Sequence, residues 1–213
     1  MAADHIAGVL PSGTAPLHRC PAQPNHPHPT DPAELRGTAP NNPEPRRTVI
    51  EQHEIDAELA VTGAQELLEA TSEAHLAYTG HDGTPRVVPV GFYWTGEQFV
   101  ISTAETAPKV GALSARPEVA LAIDRGDTPG EARALSVRGR AAITIVDGVV
   151  EDYLAAARKS MGAEAAAEFE QNCRQMYDRM ARIAITPTWV RFYDFGAGRL
   201  PRFLTELADR NLS

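Results

Sequence analysis

His75-Leu-Ala-Tyr-Thr79 and Thr84-Pro-Arg-Val-Val-Pro-Val-Gly-Phe-Tyr-Trp94 flank the tetrapeptide Gly80-His-Asp-Gly83. Both flanks are rich in β-branched and aromatic residues, and Asp-Gly supplies the positive φ that tight turns need, so the stretch reads as an antiparallel hairpin. A second turn at Thr95-Gly96-Glu97 returns the chain into Gln98-Phe-Val-Ile-Ser-Thr103, predicting a third strand of the same meander. Pro89 has no backbone N–H to give to a ladder, which places the middle strand at a sheet edge or a bulge.

Working outward, Glu105 to Arg116 reads as a short crossover helix. Thr106 is a candidate cap, Pro108 suits the first turn, and Pro117 ends the helix. Val119–Ile123 and Ala134–Val146 supply two more strands, separated by the loop Asp124–Gly130. Upstream, Ile55, Leu59, Val61, Leu67 and Leu68 are spaced for one or two short helices, with a break or joint near Gly63. Downstream, Val150 to about Arg182 is helical with an interruption at Met161-Gly162. A last strand covers Ile183–Tyr193, and a terminal helix begins near Pro201. Short antiparallel strands with inserted helices predict an α+β fold built on an antiparallel barrel.

Composition sets the boundaries of this domain. Ten of the 17 prolines lie at or before Pro45, in a stretch without helical or strand periodicity, so residues 1–47 are expected to be a disordered arm. The barrel is expected over 48–200 and a helical tail over 201–213. No apolar run approaches the roughly 20 residues of a membrane span. The start lacks the pattern of a secretory signal, so a cytoplasmic protein is expected. Cys20 and Cys173 are far apart and form no disulfide framework. The net charge of −8 opposes association with nucleic acid or anionic lipid, so neither is expected as a partner, and a phosphate must be held by a few local cations.

Those cations fall in one unit: Arg86-Val-Val-Pro-Val-Gly91, Ile101-Ser-Thr103, Ala107-Pro-Lys-Val-Gly-Ala-Leu113 and Arg116-Pro-Glu-Val-Ala-Leu-Ala122. It combines a strand arginine, two hydroxyls at a strand end and a lysine in the first turn of the next helix, where unpaired backbone donors also favour an anion. Taken singly, each residue has a plainer reading. Lys109 is a solvated helix lysine, Arg86 the open face of a hairpin, and Ser102 and Thr103 ordinary strand residues. Only the set points to a phosphomonoester.

At these residues, from about Ala74 to Phe195, the chain resembles the split β-barrel family of pyridoxamine 5'-phosphate oxidases and the related flavin- or deazaflavin-dependent reductases. The resemblance implies an FMN-binding split barrel that forms a homodimer, with the coenzyme ring in a groove at the dimer interface. It assigns the coenzyme phosphate to Arg86, Ser102, Thr103 and Lys109, and backbone contacts to Val87, Val88, Val90 and Gly91. The implied activity is hydride transfer between FMN and a small organic substrate. The deazaflavin coenzyme F-420 is the alternative coenzyme, and a non-catalytic flavin- or haem-binding module the alternative role. The sequence departs from the vitamin oxidases in two places. Pro108 stands where they carry an arginine before the helix lysine, and Arg199-Leu-Pro-Arg-Phe-Leu lacks their histidine-containing ending.

Weaker signals are set against plain readings. Phe92, Tyr93, Trp94 and Trp189 are candidate ring walls but more commonly core residues. Arg138 and Arg140 alternate onto one strand face, open to an anion or simply to solvent. His75 and His81 read as strand and turn residues, and no catalytic acid or base is assigned. His18, Cys20, His26 and His28 lack the spacing of a metal site, so no metal is expected. Gly196-Ala-Gly198 lacks the third glycine of a dinucleotide fingerprint.

Overall fold

The computed structural model describes residues 52–211. The proline-rich arm expected over 1–47, with His18, Cys20, His26 and His28, lies outside the described residues. The chain enters through two short helices, α1 (Gln52–Leu59) and α2 (Thr62–Ala70). Their apolar stripes, Ile55 and Leu59, then Ala64, Leu67 and Leu68, are buried in the main core. The joint falls at Ala60-Val61 rather than at Gly63, which lies inside α2. A β-carbon on Gly63 would stand 2.9 Å from the Phe192 ring, so its absence lets helix and sheet approach closely.

Among the described residues seven strands follow: β1 (Glu73–Thr79), β2 (Pro85–Gly91), β3 (Tyr93–Trp94), β4 (Phe99–Ala104), β5 (Glu118–Arg125), β6 (Arg133–Asp147) and β7 (Arg179–Asp194). They form one antiparallel sheet in the order β2-β1-β5-β6-β7-β4-β3. Strands β2 and β3 are the two edges of this sheet, yet only Phe92 separates them along the chain. Successive Cα atoms lie about 3.8 Å apart, so the sheet has to curl until the end of β2 lies beside the start of β3. No ladder joins β2 to β4 across the gap, and the result is a split barrel within an α+β fold.

The split corrects the meander expected from the sequence. The run from Thr84 to Trp94 is not one strand: β2 pairs with β1, while Tyr93 and Trp94 pair with Val100 and Phe99 at the opposite edge. Phe92 makes the crossing because its side chain turns into the core, fully buried, with its ring 6.1 Å from that of Phe99. Pro89 lies on the edge strand, where a missing donor leaves no ladder partner unpaired. A bulge between Arg138 and Gly139 bends the long β6–β7 pair, and Pro187 sits at that irregularity.

Helix α3 (Pro108–Ala115) packs Leu113 into the main core, with Pro108 opening the helix as expected and Ala107, not Thr106, at the cap position. Between β6 and β7 the chain inserts α4 (Glu151–Arg158) and α5 (Ala163–Met176), interrupted at Met161-Gly162 as the sequence predicts. Helix α4 lies against β2, β3 and β4, so it covers the split. Beneath it Val149, Val150, Leu154, Cys173 and Met180 form a second, smaller core. Strand β7 begins at Arg179, earlier than its periodicity indicates, because residues 179–182 pair with both β6 and β4. Helix α6 (Arg202–Asn211) ends the described chain. Among the described residues no helix is long and apolar enough to cross a membrane.

Candidate functional site

Arg86 lies in β2 opposite Tyr78, on the same face as Val88 and Val90, which turn toward the core. Its guanidinium is engaged within the hairpin. Nη2 donates to Asp82 Oδ2 at 2.8 Å and Nη1 to Thr84 Oγ1 at 2.5 Å. The Thr84 hydroxyl and amide, together with Arg86, hold the Asp82 carboxyl down to about 2. Val87 and Gly91 face the other way, and Val87 is 65% exposed. As an edge strand, β2 also offers backbone groups that no neighbouring strand claims.

Ser102 and Thr103 are successive residues of β4, so their side chains leave opposite faces. Thr103 follows Phe99 and Ile101 on the core side, in a row with Ala181 and Ile145. Ser102 faces the side covered by α4, next to Arg182, whose Nε donates to Asp152 Oδ2 at 2.6 Å. The Ser102 hydroxyl oxygen is buried without a hydrogen-bond partner.

A tight turn, closed by Ala107 N–H on the Ala104 carbonyl at 3.0 Å, folds α3 back onto the end of β4. Lys109 is in the first turn of α3, one helical turn before Ala112 and Leu113, so it starts the buried face of the helix. Burial depresses the pKa of its ammonium, and no hydrogen bond or ion pair with a described residue offsets that cost. The helix start has no side-chain cap. Thr103, Lys109 and the open end of α3 are therefore joined by one turn. The other end of α3 meets the hairpin: Arg116 Nη1 donates to the Gly80 carbonyl at 2.8 Å, and Arg86 Nε lies 3.3 Å from where a Gly80 β-carbon would stand. Arg116 is about 10 Å along the helix from Lys109, so Arg86 attends the far end of α3.

The lesser candidates are dispersed. His81 lies against α3, its Nε2 3.0 Å from the β-carbon position of Gly111, and His75 Nδ1 is 3.9 Å from Asp124. Arg138 stacks 4.8 Å over the Trp189 ring, and Arg140 pairs with Glu118 at 2.7 Å. Trp94 packs on the core 4.4 Å from the Phe99 ring. Among the described residues no group of three or more His, Cys, Asp or Glu side chains is arranged to hold a metal ion.

Sequence reading passed over Glu58 and Lys159. Glu58 sits three residues after Ile55 and one before Leu59, a carboxylate inside an apolar stripe, and that anomaly was the available signal. It accepts from Phe192 N–H and Arg191 Nη1, each at 2.9 Å, and from Arg199 Nη2 at 2.6 Å. Burial raises its pKa, but these donors outweigh burial and the net shift is downward. Lys159, just after α4, donates to the Leu68 carbonyl at 2.9 Å and stands 4.9 Å over the Phe92 ring, fastening the end of α4 to the crossing residue.

The family model for pyridoxamine 5'-phosphate oxidase matches residues 63–194, a span that contains both edges of the split, the β4–α3 turn and the whole of α3. The chain belongs to this family. The pyridoxamine 5'-phosphate oxidase family is named for an oxidoreductase, and Arg86, Ser102, Thr103 and Lys109 all lie inside the match. A search of curated proteins gave no match. Among solved structures, an F420 reductase is 29% identical, covering 59% of this chain and 94% of its own, with a TM-score of 0.45. A conserved hypothetical protein from Mycobacterium tuberculosis is 19% identical over 72% of this chain and 91% of its own, TM-score 0.49. An FAD-binding protein from Mesorhizobium loti is 17% identical over 60% and 87%, TM-score 0.41. With these scores below 0.5, membership of the oxidase family rests on the sequence match.

Proposed function

We propose that the protein is a flavin-dependent oxidoreductase that transfers hydride between a bound coenzyme and a small organic substrate. The observation that carries this reading is Lys109: a half-buried ammonium with no described partner, at the uncapped start of a helix, one turn of chain from the Thr103 hydroxyl. Desolvating a cation without pairing it is unfavourable, and an anion seated there reverses the cost. A phosphate fits that donor set.

In this reading Lys109, Thr103 and the free amides of α3 hold the phosphate of FMN. Arg86, tied to Asp82 and Thr84 toward the other end of α3, stands apart from that anchor, and the orphaned hydroxyl of Ser102 serves from the α4 side of the split. The edge backbone of Val87, Val88, Val90 and Gly91 orients the ring system. The bound flavin supplies hydride chemistry, and the protein supplies orientation and exclusion of water.

The engagement of Arg86 favours a second coenzyme over the first in one respect. Among the described residues of this turn Lys109 is the one unpaired cation, which matches the single negative charge of a phosphodiester, as in the deazaflavin F-420, better than the near-dianion of a phosphomonoester.

A homodimer is part of the proposal. Val87, Ala77, Ala120 and Arg138 form one cross-strand row over four strands, and Pro89, His75, Ala122 and Ser136 the next. These rows are half-exposed or exposed and made largely of small side chains on the barrel exterior. Such a face suits a flat contact with a second copy.

Titrating the apoprotein with FMN and with F-420, followed by flavin or deazaflavin fluorescence, tests the proposal. Saturable binding of one of them is expected, and binding of neither overturns it.

A further inference from the structure

Beyond Ile185, β7 has no β4 neighbour, so the N–H of Phe192 opens on a bare edge. The acceptor that meets it is Glu58, brought by α1, and the same carboxylate draws in Arg191 and Arg199. Two guanidiniums and an amide, all carried by β7 and the turn after it, converge on one carboxylate from a different element. This is the geometry of an anion receptor, with the anion supplied by the chain itself.

The receptor is not neutralised. Two arginines face one carboxylate, and their side chains remain 43% and 40% exposed. Both line a groove of about 740 Å³ between β7 and α6, to which Trp189 and Tyr193 also contribute. That volume is within the range of small-molecule sites. The remaining paired charge in it, Arg202 with Glu206, is self-contained at 2.7 Å. Besides the three bonds that Glu58 itself makes, the apolar hold on α1 is small. Helix α1 has eight residues, and only Ile55 and Leu59 bury apolar side chains with it. Helices so short are marginal without packing.

We infer that the groove between β7 and α6 is a binding site for a planar organic carboxylate, and that α1 is its lid: the ligand carboxylate takes Arg191 and Arg199 by displacing Glu58, while its ring lies along the groove that Trp189 and Tyr193 help to line. This site needs no coenzyme and shares no residue with the Lys109 turn, so either can fail without the other.

The test uses the full chain and benzoate, which carries no phosphate and does not report on the Lys109 site. Saturating benzoate is expected to speed amide hydrogen exchange at residues 52–59. Glu58→Gln, which keeps an acceptor for Phe192 N–H but removes the competing charge, is expected to tighten benzoate at least 10-fold, and Arg199→Gln to abolish binding. Absence of saturable binding, binding that leaves exchange in α1 unchanged, or equal affinity in a folded Glu58→Gln variant overturns the inference. If that variant does not fold, exchange in the wild-type chain decides alone.

Discussion

Gly139 in β6 lies directly against the backbone of Thr186 in β7: a β-carbon on Gly139 would stand 2.8 Å from the Thr186 carbonyl oxygen and 2.6 Å from Ile185 Cγ2. The contact occurs at the bulge where the pairing shifts, and neither the carbonyl nor the fully buried Ile185 has room to withdraw. Gly139→Ala is therefore expected to destabilise by about 1–3 kcal/mol, the usual cost of overpacking a rigid site. Urea denaturation checks it, and an unchanged midpoint would show that the bulge can absorb a methyl group.

Gly111 has a less severe contact and the opposite expectation. Its β-carbon would meet His81 Nε2 at 3.0 Å, but His81 is an exposed side chain at a hairpin tip and can swing aside. Inside a helix, replacing glycine by alanine gains about 0.8–1 kcal/mol of propensity. Gly111→Ala is expected to match or exceed the wild-type melting temperature. A marked fall would mean that His81 is fixed against α3.

The features legible in the sequence were those set by local chemistry. Asp82-Gly83 marked the β1–β2 turn, Pro108 and Pro117 bounded α3, and Met161-Gly162 separated α4 from α5. What escaped depended on distant partners. Nothing between Thr84 and Trp94 signals that Phe92 carries the chain from one sheet edge to the other, because both sides of it are equally good strand. Arg179-Met-Ala-Arg182 has helix-forming composition, and only ladders to β4 and β6 make it strand. Within the site, Ser102 and Thr103 read as one pair of hydroxyls, although strand alternation already assigns them to opposite faces. The ties from Arg86 to Asp82 and Thr84 are local and hairpin-specific, and they become visible only once the turn has its shape.

Glu58 gives a pH signature. Its folded pKa lies below the ordinary value of 4.5, because the Phe192 amide, Arg199 and Arg191 together outweigh the upward push of burial. A lowered carboxylate pKa contributes stability that is fully present above the unfolded value and is lost as pH falls through the folded value. At neutral pH, Glu58→Gln should cost about 1.5–3 kcal/mol, the range for a charge-assisted hydrogen bond. The difference from wild type should shrink as pH falls below about 4.5. Denaturant midpoints at pH 7 and in the acid range measure this, and a difference that stays constant with pH would show that the charge of Glu58 contributes nothing.

Lys109 separates stability from binding. Burial without a partner lowers its pKa, so between the folded value and the ordinary 10.5 the unfolded chain holds more protons and stability rises with pH. Below that window the ammonium is a net burden on the coenzyme-free protein. Lys109→Met, which keeps an apolar stem and discards the charge, is expected to raise the melting temperature of the apoprotein and to flatten its rise toward alkaline pH. If the ammonium binds the coenzyme phosphate, the same variant loses one charge-assisted bond of about 1.5–3 kcal/mol, which weakens coenzyme affinity about 10- to 100-fold. The two measurements move in opposite directions only when a residue is kept for a ligand at the expense of the fold. A variant with higher stability and unchanged coenzyme affinity would leave Lys109 buried for no purpose in binding and would remove it from the site.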